Sequence, residues 1–167
     1  MSALVQDIID RLQLQPHPEG GFYREIYRSG TIVSIPECGP RVAMTCIYFL
    51  VTADSPSTWH RLRFEETWSH LSGSPLDLFS VPEDLSKLSV ERLGPAEGET
   101  GEPLRVVPAR AWQAAQTTGE YSLVACSVAP GFEFEDFTLL RDDRDRAQTF
   151  LSQFPETRPL LGGEVAR

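Results

Sequence analysis

From Phe22 to Val128 the chain is a succession of short apolar runs, each closed by a cluster of Pro, Gly, Asp or Ser. No stretch within that span repeats its apolar residues with helical period. Alternation with period 2 over four to nine residues, bounded by turn residues, reads as strands. The candidates are residues 22–28, 42–52, 66–71, 76–81, 88–93, 104–107, 112–115 and 121–128. Strand following strand without intervening helices excludes a doubly wound sheet and predicts an all-β sandwich or barrel. In the 42–52 run Ile47, Phe49 and Val51 fall on one side and Cys46, Tyr48 and Leu50 on the other. Both faces of this strand should therefore be covered.

Helices are expected only at the ends. Ser2 can cap a helix in which Leu4, Val5, Ile8, Ile9 and Leu12 recur at helical spacing, and Pro16 and Pro18 stop it. Near the other end Ala147, Phe150, Leu151 and Phe154 fit a short amphipathic helix that Pro155 closes, with residues 156–167 as a loose tail. The reading divides the chain into a helix at 1–15, a barrel at 16–141, and a helix with tail at 142–167. Residues 94–103, rich in Gly, Pro and Glu, are expected to form an exposed connection inside the barrel domain. At 167 residues the chain suits one domain with a sizeable core and room for a pocket.

Charge narrows the partners. Fifteen basic residues against 24 acidic ones give a net charge of -9, which repels nucleic-acid phosphates and anionic membranes. No apolar run approaches the roughly 18 residues of a membrane span. Cys38, Cys46 and Cys126 are odd in number and widely spaced, which argues against a disulfide framework and for a reducing, cytoplasmic setting. A small molecule is the expected ligand.

Few residues can carry proton chemistry. Lys87 is the sole lysine and lies in a polar loop sequence, so it reads as a solvated charge. His17 stands between two prolines, where a structural role in the turn is favoured. His60 and Glu66 lie in a dense polar and aromatic cluster. On neighbouring barrel strands they can point into one lumen and share a proton or hold a substrate hydroxyl. In a regular strand Glu66, Trp68 and His70 share a face, which leaves His70 a secondary candidate. Asp136 reads as a solvated carboxylate or, less favoured, as the partner of a buried arginine such as Arg24. Gly20 and Gly21 read as turn residues rather than a phosphate loop.

Several blocks resemble a known group. His17-Pro18-Glu19-Gly20-Gly21-Phe22-Tyr23-Arg24, Ile47-Tyr48-Phe49-Leu50, His60-Arg61-Leu62, Glu66-x-Trp68, Gly73-x-Pro75-Leu76, Val107-Pro108-Ala109, Trp112-Gln113-Ala114-Ala115 and the Val128 to Phe137 segment occur in order. Together they resemble the DUF985 family of the cupin superfamily. The resemblance implies a double-stranded β-helix, or jelly-roll, barrel, usually a homodimer, with a small-molecule pocket and a fold similar to RmlC-type epimerases. General cupins bind a metal through three histidines and a glutamate. Mapped onto that pattern, Thr58 and Gln113 stand where two of the histidines would be, and only His60 and Glu66 remain as strong ligands. Too few donors survive for a transition-metal site, so a metal-free pocket is expected.

Three functions follow from this reading. The first is metal-free acid/base chemistry of isomerase or epimerase type on a sugar-like or small polar substrate, with His60 and Glu66 catalytic and Tyr48, Arg61, Trp68, Gln113 and Arg24 binding substrate. The second is a non-catalytic binding or sensor barrel. The third is a metal-dependent cupin whose incomplete ligand shell is finished by water or substrate.

Overall fold

The computed structural model describes residues 1–97 and 101–163. Within them, helix α1 (Ala3–Leu12) precedes strands β1 (Gln15–Pro16), β2 (Phe22–Arg28), β3 (Ile32–Ile35), β4 (Gly39–Val42), β5 (Thr45–Thr52), β6 (Ser57–Leu62) and β7 (Glu65–Gly73). Next come β8 (Leu76–Val81), β9 (Ser89–Leu93), β10 (Leu104–Val107), β11 (Trp112–Thr117), β12 (Tyr121–Ala129) and β13 (Phe137–Leu139), and then helix α2 (Arg144–Gln153). One sheet has the order β1-β2-β5-β12-β7-β10, a second the order β13-β6-β11-β8-β9, and β3-β4 form a separate hairpin. Successive strands cross between the two large sheets, β5 to β6 and β11 to β12 among them. The result is an all-β jelly-roll barrel with a helix at each end of the chain.

Alternation of side chains sorts the residues into three packed layers. Inside the barrel, Phe49, Val51, Trp68, Val124 and Cys126 from the first sheet meet Leu76, Leu78, Leu93 and Ala115 from the second. On the outer face of the first sheet, Val5, Ile8 and Ile9 of α1 cover Leu50 and Leu123, with Tyr48 packed alongside. Ser2 starts that helix, its Oγ accepting the Val5 N–H at 3.2 Å. Both faces of β5 are thus covered at its Leu50 end, as the apolar run requires. On the outer face of the second sheet, Phe150 and Leu151 of α2 cover Trp59, Trp112 and Ala114.

Two expectations need correction. Residues 42–52 are not one strand, because β4 ends at Val42 and turns away to pair with β3, Ile32 lying opposite Val42. The segment expected as a loose tail is a 3-10 turn over Pro155–Leu161, in which Thr157, Leu160 and Leu161 are buried. Its apolar side chains complete the cover over Trp59, which a solvated tail would leave exposed. Residues 98–100 of the expected connection and 164–167 of the expected tail lie outside the described residues. No helix is long and apolar enough to cross a membrane, among the described residues.

Candidate functional site

A cavity of about 270 Å³ opens at one end of the barrel. Its inner wall is set by strand parity: Glu66 and Trp68 of β7, His60 and Leu62 of β6, and Ile47 and Phe49 of β5 all face inward. Before β2 the chain makes a tight turn in which His17 N–H donates to Gly21 O at 3.1 Å and Gly20 N–H to His17 O at 3.0 Å. Gly20 and Gly21 adopt φ of 109° and 64°. A Cβ at either would lie 2.0 Å from Pro56 O or 2.7 Å from Leu50 O, so only glycine lets the turn sit this close to the barrel. The turn is pinned further by Glu19 O, which accepts both the Thr58 N–H at 2.8 Å and the Thr58 hydroxyl at 2.7 Å. Arg141, just ahead of α2, donates to Pro18 O at 2.6 Å and to Thr58 Oγ1 at 3.1 Å. Held on both sides, the turn swings the Glu19 side chain into the barrel, where the residue is 6% exposed.

Glu19 sits at the centre of the polar cluster. Its Oε1 accepts the Ser57 hydroxyl at 2.8 Å, while Oε2 lies 3.3 Å from His17 Nδ1 and 3.4 Å from His60 Nε2. The tautomer of His60 is fixed by its other nitrogen: Nδ1 is 2.8 Å from Thr58 O, and a carbonyl can only accept, so Nδ1 carries hydrogen and Nε2 turns to Glu19. His17 Nδ1 accepts the backbone N–H of Glu19 at 3.3 Å. Its ring stands edge-on to Tyr23 at 4.6 Å. On the opposite wall Glu66 Oε2 accepts the Gln113 amide N–H at 2.6 Å, and Gln113 Oε1 accepts the Trp68 indole N–H at 3.1 Å.

These surroundings drive the two carboxyl groups apart in acidity. Burial and the neighbouring Glu19 charge push Glu66 up to about 8, against the hydrogen bonds from Gln113 and Trp68. Burial also raises Glu19, but the pull of His60 and His17 and the Ser57 hydroxyl outweigh it and hold the group below its ordinary value. Burial drives His60 down, against the raising effect of Glu19 and the Thr58 carbonyl. At neutral pH the cavity therefore contains a carboxylic acid, a carboxylate and a neutral imidazole. Cys126 also lines it, with its thiol pushed well up by burial, so it is not a thiolate nucleophile.

The structure brings together His60, Glu66 and Trp68 as the sequence suggests, with Gln113 directly behind Glu66. It separates the rest. Arg24 lies on the outer face, donating to Gln13 at 3.1 Å with its guanidinium 5.8 Å above the Tyr48 ring, because Tyr48 has the parity opposite to Phe49. Arg61 likewise points away from His60, stacked 4.9 Å from the Trp112 ring and 3.3 Å from Glu83. His70 shares the inward face but lies beyond Trp68, its Nε2 bonded to Ser74 O at 3.2 Å. The strand bulges only after it, between the pairings of Val124 and Leu123. Asp136 is buried rather than solvated, and its partners are Arg41 at 2.8 Å and Arg63 at 2.6 Å, not Arg24.

Sequence reasoning missed Glu19 and assigned His17 to the turn. The signal was present in His17-Pro18-Glu19-Gly20-Gly21, a polar pair followed by the two glycines that bring it against the barrel. At the entrance Arg28, the one arginine lining the cavity among the described residues, is held by Glu25 at 3.0 and 2.9 Å and by Glu133 at 2.7 Å.

The donor set does not fit the metal that cupins commonly hold. Thr58 Oγ1 is committed to Glu19 O, Gln113 presents its amide N–H rather than its oxygen to Glu66, and His60 directs Nε2 at Glu19. Among the described residues no group of three or more His, Cys, Asp or Glu side chains is placed to hold a metal ion.

Residues 6–140 match the family described as cupin superfamily (DUF985). A hypothetical protein from Leishmania major is 33% identical, with TM-score 0.80 over 93% of this chain and 95% of its own. A protein from Shewanella oneidensis is 30% identical, with TM-score 0.77 over 93% of each chain. The oxalate decarboxylase of Bacillus subtilis is 15% identical, with TM-score 0.56 over 87% of this chain and 36% of that one, a likeness of fold alone. No curated protein matches.

Proposed function

The chain belongs to the DUF985 family of the cupin superfamily, and from that premise we propose that its barrel cavity is the active centre of a metal-free enzyme that moves protons on a small polar molecule. The observation that carries this reading is the pair of buried carboxyl groups in one cavity, Glu19 3.4 Å from His60 Nε2 and Glu66 held by Gln113 at 2.6 Å, with burial raising the pKa of Glu66 and the histidines lowering that of Glu19. Environments that split two acids in this way assign the acid and the base. His60 Nε2 accepts a proton from the substrate and Glu19 stabilises the imidazolium that results. Glu66 returns a proton from its free oxygen, so the substrate loses one hydrogen, gains one, and is isomerised; after product leaves, water entering the open cavity takes the proton from His60 and returns one to Glu66. Gln113 and Trp68 position Glu66, and do not themselves exchange protons.

The test is hydrogen exchange. Wild-type protein is incubated in deuterium oxide with pooled polyols, amino sugars and simple amines, and carbon-bound deuterium is read by NMR. Incorporation into one compound is expected, reduced by about 10²-fold or more in His60→Ala and Glu66→Gln. Exchange that survives both changes, or that requires an added metal, overturns the reading. Binding without exchange in any compound favours the non-catalytic barrel, the alternative that the altered Thr58 and Gln113 positions support.

The partner proposed for the outer surface is a second copy of the chain. Side chains in register across the outside of the first sheet are Tyr48, Ala125, Ser69 and Leu104 in one row, and Cys46, Ser127, Thr67 and Val106 in the next. These eight are uncharged, in a chain with 39 acidic and basic residues, and the charge in the first row comes at its far end, where Arg24 of β2 pairs with Tyr48. Leu104 and Val106, about half exposed, lie on the edge strand, where unpaired backbone invites association. Three widely spaced cysteines, all free, support a cytoplasmic location.

A further inference from the structure

The cavity in which the proposed exchange takes place is acidic enough to select its occupant, and the inference rests on that reading of the cavity. Among the described residues four glutamates line it, Glu19, Glu25, Glu66 and Glu133, against one arginine, Arg28. With Glu66 neutral, three carboxylates still face a single guanidinium. That guanidinium is already committed, donating to Glu25 through Nε and Nη2, to Glu133 through Nη1, and to Phe132 O at 3.3 Å. Arg24 and Arg61 are outside the cavity. An entering carboxylate or phosphate would exchange water for a site without a free cation and with the Glu19 charge nearby, a cost that no contact offsets.

A neutral alcohol avoids that repulsion but leaves Glu19 uncompensated. The carboxylate is buried, and the Ser57 hydroxyl is its one close donor, at 2.8 Å. The two ring nitrogens near its other oxygen are 3.3 and 3.4 Å away. One of them, His60 Nε2, is itself an acceptor in the neutral ring, because Nδ1 holds the hydrogen. Two acceptors 3.4 Å apart, one of them ionised, call for a group with several donors and a positive charge. The walls agree with this: the rings of Tyr23, Phe49, Trp68, Phe132 and Phe134 line the same space, and ring faces attract organic cations.

We propose that the substrate is a small organic amine, bound as its ammonium ion with N–H donors on Glu19 Oε2 and a carbon-bound hydrogen toward His60 Nε2, and carrying no carboxylate or phosphate of its own. This separates the protein from enzymes that use the same barrel for anionic substrates, since nothing in the cavity replaces the cationic side chains such ligands need.

The experiment is calorimetric titration with benzylamine, benzyl alcohol and benzoate, which share a ring and differ in charge. Benzylamine is expected to bind wild-type protein at least about tenfold more tightly than benzyl alcohol, roughly 1.4 kcal/mol, and benzoate not to bind. In Glu19→Gln the advantage of the amine should disappear. Benzoate binding as well as benzylamine, equal binding of alcohol and amine, or no binding of any probe at millimolar concentration overturns the proposal. So does a folded Glu19→Gln protein that keeps the preference, or displacement of benzylamine by stoichiometric Zn²⁺ or Mn²⁺ added alone. The wild-type ranking decides the matter even where Glu19→Gln does not fold. Binding is measured here and exchange above, so the two readings fail separately: amine preference without exchange in any amine removes the reaction and leaves the ligand class. Exchange confined to a neutral polyol does the opposite.

Discussion

Glu66 shows how much of the chemistry depends on single side chains. Its pKa is raised from 4.5 to about 8 by burial and by the charge on Glu19, so the folded state holds a proton that the unfolded chain releases. Between those two values the native state binds more protons than the unfolded one, and stability falls as pH rises. The loss is on the order of 1 kcal/mol per pH unit across that window, and levels off above about 8, where both states are ionised. Glu66→Gln removes this share. Urea unfolding at about pH 5 and about pH 9 should show the variant gaining on wild type at the higher pH, and an equal difference at both would exclude a raised pKa at this position. His60 and Glu66 were legible in the sequence because strand alternation turns a residue number into a direction. Arg24, Arg61 and Tyr48 were misplaced by the lack of the same information, since a binding role was assigned to them by residue type without following parity from Phe49, Trp112 and His60. Glu19 was hidden because its direction comes from a turn, and turns have no period.

At the level of elements, the strands were the most readable part, as β2, β8 and β10 begin and end where the alternation does. The hairpin β3-β4 was not, because Pro36, Cys38, Gly39 and Pro40 look like a single long turn and the pairing of Ile32 with Val42 spans them. The C-terminal segment was misread for a related reason. Seven residues without a repeating pattern pack well only once Trp59 and Trp112 are known to face outward, and that exposure belongs to the second sheet rather than to the segment. Helix α2 is accordingly a structural cover, and Phe150, with 0% exposure between the two indoles, is its anchor. Phe150→Ala should cost about 3–5 kcal/mol, measured by denaturant unfolding. A loss below about 1 kcal/mol would mean that the helix contributes little to the fold.

For the molecule as a whole, the uncharged stretch from β5 to β10 outside the first sheet stands out against a net charge of -9. With a second copy seated there, Val106→Glu places a carboxylate at the centre of the contact. The variant is expected to shift from dimer to monomer in sedimentation at micromolar concentration, while its unfolding stays within about 0.5 kcal/mol of wild type, as for a surface change. A wild-type protein that is monomeric at the same concentration would remove the partner. The barrel followed from the sequence because many short strands in one chain have few ways to bury both faces; the proposed association of copies depends on which face is left bare, and that appears only once the helices are placed. The contact of Arg141 with Pro18 and Thr58 has one more effect, on order in time. A chain emerging from the ribosome makes its N-terminal parts first, so the turn that bears Glu19 exists long before the arginine that clamps it. The barrel strands can pair in the interval, but the turn is clamped against Thr58 only once Arg141 has been made. A chain ending ahead of Arg141 would carry the Glu19 turn without that clamp, and the proposed site would be held on one side alone.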